Sequence, residues 1–292
     1  MRSLFLLCSA LIFGASVAPS TAQSIEVDVE LVLAVDVSAS MDLEEYKFQR
    51  QGYVEAIRHP EFIRAISHLP RQRIAVTYVE WSSSDRQNVI VPFREIDGPE
   101  TAEMFAAALE AAPAKRGAGT SISRAIEFGA NLLWWNRFEG DRMVLDISGD
   151  SPNLSGGPVS FARDNAVARG IVINGLPIII RPTEGPFTVE EYYAACVIGG
   201  PGSFMLPARG IGEFAEAVRQ KLIREVAGLP QAMIAPVSAT PPINCLIGEI
   251  TIAKAKRWMR WGRENRPDYL DPWYRLRRER GRMPARDPDQ WY

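Results

Sequence analysis

The amino-acid sequence predicts an α/β protein with a doubly wound, mostly parallel sheet flanked by helices, followed by a C-terminal extension. Two observations lead to this prediction. Continuous apolar runs such as LVLAV (31–35) and IVINGLPIII (171–180) are typical of strands buried on both faces of a sheet. Longer stretches with apolar residues at helical spacing alternate with these runs, which favours parallel strands joined by helices.

The first 22 residues are expected to be a secretory signal peptide. Arg2 precedes the apolar run LFLLCSALIFGASVA, and small residues lead to a predicted cleavage point after Ala22. The alternative is that this run is retained as a membrane anchor. Because we expect the run to be removed as a signal peptide, we expect a secreted or periplasmic protein.

The main domain is predicted at residues 25–228, beginning with the strand VDVELVLAV (27–35). A helix starts at Leu43, where Asp42 and Glu45 are spaced as a capping box. Strands at 73–81 and 88–93 are separated only by SSSDRQ, which predicts a hairpin-like pair. The later predicted elements are helices at 100–112 and from Thr120, a strand at 142–148, a helix at 159–169, a strand at 171–180, a short helix at 188–195, a short strand at 203–206 and a helix at 211–227.

Residues 229–292 are predicted to be a Pro-rich linker and a basic, aromatic extension, with a helix at 246–262. From Thr251 onward there are 12 Lys and Arg against 6 Asp and Glu, although the whole chain has a net charge of −2. One interpretation is that this tail wraps the acidic domain. The other is peripheral contact with a membrane or the cell envelope. Nucleic acid is not expected as a partner of an exported protein.

Two cysteines remain after removal of the signal peptide, Cys196 and Cys245. An even pair in an exported chain predicts one disulfide. The alternative is two free buried thiols. Asp146 is a separate anomaly because it interrupts the apolar strand RMVLDIS. We expect it to pair with a buried arginine or to support the site from behind, and otherwise to face polar surroundings at the margin of the sheet.

Oxygen-bearing side chains follow the predicted strands. Asp36, Ser38 and Ser40 alternate directly after the first strand, Thr120 follows Gly-Ala-Gly at a helix start, and Asp150 follows the strand RMVLDIS. Ligands of open α/β sheets bind beyond the carboxyl ends of the strands, so these five residues are expected to converge. Carboxylates and hydroxyls are hard donors that suit Mg²⁺, with Mn²⁺ or Ca²⁺ as alternatives.

The order of these motifs resembles that of the von Willebrand factor A (VWA) domain, a Rossmann-like fold, over residues 25–228. More closely, the chain resembles a bacterial secreted branch of that fold whose function is undefined. The segments that carry this likeness are VLAVDVSASMDLEEYKFQRQGY, VEWSS, GTSIS, DISGDSPN, INGLPI and CVIGGPGSF. One departure is that Gly149-Asp150-Ser151 stands where the family often has Thr-Asp-Gly.

The resemblance implies a metal-ion-dependent adhesion site (MIDAS). Ser38 and Ser40 would bind the ion directly, Thr120 directly or through water, and Asp36 and Asp150 mainly through water. The ion would then engage an Asp or Glu carboxylate of a partner protein. We find no general base and no nucleophile motif, so an enzyme is not expected. The alternatives are a metal-assisted hydrolase at the same edge and a structural envelope protein with a vestigial metal site.

Overall fold

The computed structural model describes residues 24–39, 42–179, 187–228 and 243–264. The predicted signal peptide, Ser40, most of the linker and the extension beyond Glu264 lie outside these ranges, so the predictions for them stay predictions. The elements of the described residues are β1 Ile25–Asp36, α1 Leu43–Arg58, α2 Pro60–Ser67, β2 Ile74–Trp81, β3 Gln87–Ile96, α3 Pro99–Glu110, α4 Ile122–Trp134, β4 Phe138–Gly149, α5 Val159–Ala168, β5 Ile171–Ile179, α6 Val189–Tyr192, a π-helix Tyr193–Val197, β6 Ala208–Arg209, α7 Ile211–Ala227 and α8 Ile247–Glu264.

The strands form one six-stranded sheet in the order β3-β2-β1-β4-β5-β6. Only β2 and β3 pair antiparallel, and every other neighbouring pair is parallel. This arrangement confirms the predicted fold class and the predicted hairpin-like pair. β1 lies between β2 and β4, and its residues from Val27 to Asp36 are all buried.

Alternate residues of β1 face two separate hydrophobic cores. Leu31, Leu33 and Val35 belong to the core under α1, α2, α3 and α7. Val32 and Ala34 belong to the core under α4, α5 and α6. Because both faces of the strand are covered, its sequence is continuously apolar. Burying each larger side chain contributes roughly 1.5–3 kcal/mol.

Helix α1 begins with the predicted capping box, which is confirmed. The carboxylate of Asp42 accepts hydrogen bonds from the amides of Glu44 and Glu45, each at 2.8 Å, and the Glu45 carboxylate accepts one from the Asp42 amide at 2.7 Å. Such a cap stabilises a helix by about 1 kcal/mol. It fixes the start of α1 directly after the loop that carries Ser38.

Three predicted elements differ clearly from the structure. β4 begins at Phe138 rather than at 142, because its first residues pair with the start of β1, where Ile25 lies opposite Phe138. The prediction of a strand at 203–206 is wrong: Met205 makes only a single bridge to Gly175, and the edge strand is β6. The short helix predicted at 188–195 is divided between α6 and the π-helix.

Asp146 lies in the middle of the sheet on β4 and is 1% exposed. Its Oδ1 atom is 2.6 Å from Nζ of Lys221 on α7, and Lys221 also contacts Glu225 on the same helix. The expectations of an arginine partner and of a place at the sheet margin are therefore both wrong. A lysine stem long enough to reach the sheet from α7 supplies the compensating charge.

Cys196 of the π-helix and Cys245 form a disulfide with Cα atoms 5.6 Å apart, which confirms the predicted pair. The bond fastens the start of α8 to the domain. None of the helices in the described ranges combines the length and the apolar character required to cross a membrane.

Candidate metal centre

Three loops meet at the carboxyl edge of the sheet. The first follows β1 at Asp36, the second precedes α4 and carries Thr120, and the third follows β4 at Gly149 and carries Asp150. β1 and β4 are parallel neighbours, with Val35 opposite Ser148, so the first and third loops start side by side. The strand order thus explains why oxygens far apart in the sequence come to one edge.

The first loop is held by hydrogen bonds to both neighbours. The Ser38 amide donates to Asp36 Oδ1 at 2.8 Å, and the Val37 amide donates to the Trp81 carbonyl at 2.9 Å. The Gly117 amide of the second loop donates to the Val37 carbonyl at 2.9 Å. Asp36 and Ser38 are buried, so their positions do not depend on solvent-exposed contacts.

The second loop approaches the end of β2 closely. A Cβ atom on Gly117 would lie 2.0 Å from Oγ of Ser82, so only glycine fits there. The Ser121 amide donates to the Ser82 carbonyl at 2.7 Å. Thr120, between these contacts, is 4% exposed and its hydroxyl lies 3.5 Å from that of Ser151 in the third loop.

The third loop is organised around the buried residue Asn153. Its side-chain Oδ1 accepts from the backbone amide of Ser123 at 3.0 Å, and its backbone amide donates to the Tyr192 hydroxyl at 3.2 Å. The next residue, Leu154, donates its amide to the Thr120 carbonyl at 3.1 Å. Asn153 therefore links the loop of Asp150 to the start of α4 and to α6.

Electrostatics at this edge favour a cation. Burial raises the pKa of Asp36 well above its usual value, the charge of Asp150 raises it further, and hydrogen bonds from Ser38 oppose the change. Oδ2 of Asp36 is buried and has no hydrogen-bond partner among the described residues. A divalent cation beside the two acids would satisfy this oxygen and offset their repulsion.

The donor types also fit a hard cation. Within the part of the chain that the structure describes, no group of three or more His, Cys, Asp or Glu side chains is placed so that it could hold a metal ion. The oxygens of this edge are instead two carboxylates and the hydroxyls of Ser38 and Thr120. Hydroxyl and carboxylate oxygens suit Mg²⁺ better than zinc or copper. The structure brings four of the five predicted residues to this edge, and the fifth, Ser40, lies outside the described residues.

Tyr193 of the π-helix is a neighbour of the site that the sequence did not reveal. A Cβ atom on Gly149 would lie 2.7 Å from its hydroxyl oxygen and 3.2 Å from Asp36 Oδ2. Burial, and then the charges of Asp36 and Asp150, raise the pKa of Tyr193 well above its usual value. No local pattern predicts this contact. Ser82, whose side chain lies against Gly117 of the second loop, does have a signal in the sequence, because it stands in VEWSS, one of the segments that carry the family likeness.

The parallel sheet, its helices and the three loops define a von Willebrand factor A-type domain. The chain belongs to the family described as a protein of unknown function, DUF1194, whose family model matches residues 26–230. This agrees with the resemblance to a bacterial branch of the VWA fold.

Solved structures of low sequence identity share the fold. Proximal thread matrix protein 1 from the mussel byssus is 12% identical with a TM-score of 0.51, over 70% of this chain and 49% of that one. Pilus adhesin SpaC from Lactobacillus rhamnosus GG is 13% identical with a TM-score of 0.51, over 68% of this chain and 30% of that one. A von Willebrand factor type A protein from Catenulispora acidiphila is 13% identical with a TM-score of 0.48, over 68% and 42%.

The chain thus spans half or less of the length of these three proteins. At such identities the first two, whose TM-scores are 0.51, show the fold alone. No match was found among curated proteins.

Proposed function

We propose that the protein is an exported binding module that uses a divalent cation, Mg²⁺ first, to engage an acidic group of a partner protein. The single observation that carries this proposal is the convergence of Asp36, Ser38, Thr120 and Asp150 at one edge, with a buried Asp36 oxygen that has no hydrogen-bond partner among the described residues. The adhesin and matrix protein that share the fold support a binding role. The disulfide supports export, because disulfides persist in oxidising compartments.

Each residue of the site has a distinct task in this proposal. The hydroxyls of Ser38 and Thr120, with Ser40 added by the sequence, would hold the ion. Asp36 and Asp150 would supply negative charge close to it. An ion bound mainly by neutral hydroxyls would stay electrophilic and accept an Asp or Glu carboxylate from the partner.

We propose binding rather than catalysis at this site. Hydrolysis needs a general base within reach of the reacting group, and histidine is the usual one. Both histidines of the chain, His59 and His68, flank α2 on the connection from α1 to β2, at the opposite edge of the sheet. A screen of ester and phosphate substrates with Mn²⁺ tests whether the site is catalytic. The proposal of binding without catalysis would be overturned if the wild type turns over a substrate only with the metal and Asp36→Asn does not.

Calorimetric titration of the mature chain with Mg²⁺ tests the metal site. We expect one bound ion for the wild type and an affinity lower by about tenfold or more for Ser38→Ala. Ser83→Ala is the matched control, because Ser83 lies on the neighbouring loop and bonds Asp85 instead. The proposal fails if the wild type binds no Mg²⁺, Mn²⁺ or Ca²⁺, or if Ser38→Ala binds as the wild type does.

A pull-down from envelope extract tests the partner. Proteins that the mature chain retains with Mg²⁺ should be released by EDTA and should not be retained by Ser38→Ala. Retention that is equal with and without chelator would show that the partner does not use the ion.

A further inference from the structure

The first turn of α8 rests directly on the third loop of the candidate metal centre. Gly248 lies so close to this loop that a Cβ atom on it would be 2.0 Å from the Asn153 carbonyl oxygen. The next residue, Glu249, accepts a hydrogen bond at Oε1 from Asn153 Nδ2 at 2.7 Å. We call residues 245–249 the clamp, because they contact both the backbone and the side chain of one loop residue.

The clamp is fastened to the domain at several points. The Cys196–Cys245 disulfide ties its first residue to the π-helix. The Cys245 carbonyl accepts a hydrogen bond from the Tyr192 hydroxyl at 3.1 Å, and Ile247 packs against the core under α4, α5 and α6. Beyond the clamp, most residues of 251–257 are exposed. The anchored end of α8 is therefore the part that contacts the third loop.

The third loop in turn contacts the second loop of the metal centre. The Leu154 amide donates to the Thr120 carbonyl at 3.1 Å, and the Ser155 hydroxyl donates to the same carbonyl at 3.3 Å. Asp150 stands three residues before Asn153 in the third loop. A continuous set of contacts thus runs from the clamp through Asn153 and Leu154 to the residues that carry two of the candidate ligands.

Glu249 completes the hydrogen bonding of Asn153, which is fully buried. The side-chain nitrogen of Asn153 donates one hydrogen bond to the Gly157 carbonyl at 2.9 Å and the other to Glu249 at 2.7 Å. Without Glu249, one of these N–H groups would be buried with no acceptor. Such a group is costly to leave unpaired, so the loop would rearrange to satisfy it.

We propose that the clamp is a positioning element of the metal centre, which holds the third loop where Asp150 and Thr120 can act on one cation. This inference rests on the proposed function and adds to it a segment that does not bind the ion itself. Glu249 acts through Asn153, because the described residues contain no group of three or more His, Cys, Asp or Glu side chains placed to hold a metal ion. Residues that hold metal ligands in place typically contribute about 10–100-fold to affinity.

Replacing Gly248 by alanine tests the clamp and leaves the metal site and the disulfide unchanged. The added methyl group would overlap a backbone oxygen, so the clamp and the third loop must move apart. Calorimetric titration of the mature chain should then give an affinity for Mg²⁺ that is lower by about tenfold. Gly212→Ala is the matched control: Gly212 is the second residue of α7, as Gly248 is of α8, and an added Cβ atom there would meet nothing within 4 Å.

Two substitutions of Glu249 separate its hydrogen bond from its charge. Glu249→Ala removes the acceptor and should weaken Mg²⁺ binding by about tenfold. Glu249→Gln keeps an oxygen acceptor for Asn153 and should retain most of the affinity. An equal loss in both variants would show that the charge of Glu249 acts on the ion, and it would overturn the positioning role.

Hydrogen exchange in EDTA tests the clamp without any metal. The backbone amides of Asn153 and Leu154 should exchange faster in Gly248→Ala than in the wild type or in Gly212→Ala. Unchanged exchange would overturn the proposal, and so would faster exchange together with wild-type affinity for Mg²⁺. A wild type that binds no cation would instead refute the proposed function, and the exchange in EDTA would still decide whether the clamp holds the loop.

Discussion

Replacing Glu225 by glutamine should remove a pH dependence of stability that arises in the core. Glu225 and Asp146 are two buried carboxyl groups that share one cation, Lys221. Asn174 adds a hydrogen bond to Glu225 Oε1 at 3.2 Å. One ammonium group cannot fully compensate two carboxylates in a site with little water. Burial, and then the charge of Asp146, therefore raise the pKa of Glu225 to about 7.

The size of the effect follows from proton linkage. The carboxyl of Glu225 ionises at about 4.5 in the unfolded chain and at about 7 in the folded chain. Between these values the folded chain holds a proton that the unfolded chain has lost, so stability is full below pH 4.5 and falls as the pH rises through 7. The difference corresponds to about 3 kcal/mol. Asp146, whose pKa burial also raises, acts in the same direction.

Urea unfolding of the mature chain at pH 5, 6, 7 and 8 measures this contribution. We expect the wild type to lose about 3 kcal/mol across the range and Glu225→Gln to lose much less, so that the variant is the more stable protein at pH 8. Glu216→Gln is the control on the same helix, because Glu216 is exposed and pairs with Arg219. Equal slopes for the wild type and Glu225→Gln would refute the reasoning.

Three further predictions concern the contacts that hold the edge of the sheet in place. Replacing Cys196 and Cys245 by serine frees a segment of 49 residues and should lower the free energy of unfolding by up to about 4 kcal/mol, measured by urea unfolding without reductant. Arg50→Met leaves Glu80 buried without its cation, 2.6 Å away in the wild type, and should cost about 3–5 kcal/mol in the same assay. Gly149→Ala places a methyl group against a buried tyrosine hydroxyl, so it should lower the melting temperature and weaken Mg²⁺ binding in calorimetry.

The fold could be predicted because its signals are local. Continuous apolar runs mark strands covered on both faces, and the capping box at Asp42 marks the start of a helix within four residues of sequence. The disulfide followed from the number of cysteines. The positions of Asp36, Thr120 and Asp150 also followed, because residues after parallel strands meet at one edge.

Contacts between distant residues could not be predicted in this way. The pairing of Asp146 with Lys221 depends on where α7 crosses the sheet, and no sequence pattern encodes that position. Tyr193 reaches Gly149 from the π-helix for a similar reason. The strand expected at 203–206 failed because a short apolar segment is compatible with a single bridge as well as with a ladder. Tertiary packing decided each of these cases.

The bond between Cys196 and Cys245 closes the chain into a covalent ring that includes α7. A protease that nicks the backbone anywhere between Gly228 and Cys245 would therefore cut the polypeptide without separating its two pieces. Both would run together on a gel until the sulfur bridge is reduced. After such a cut, release of the segment that carries Cys245 and α8 thus requires a second chemical event, the reduction of the disulfide.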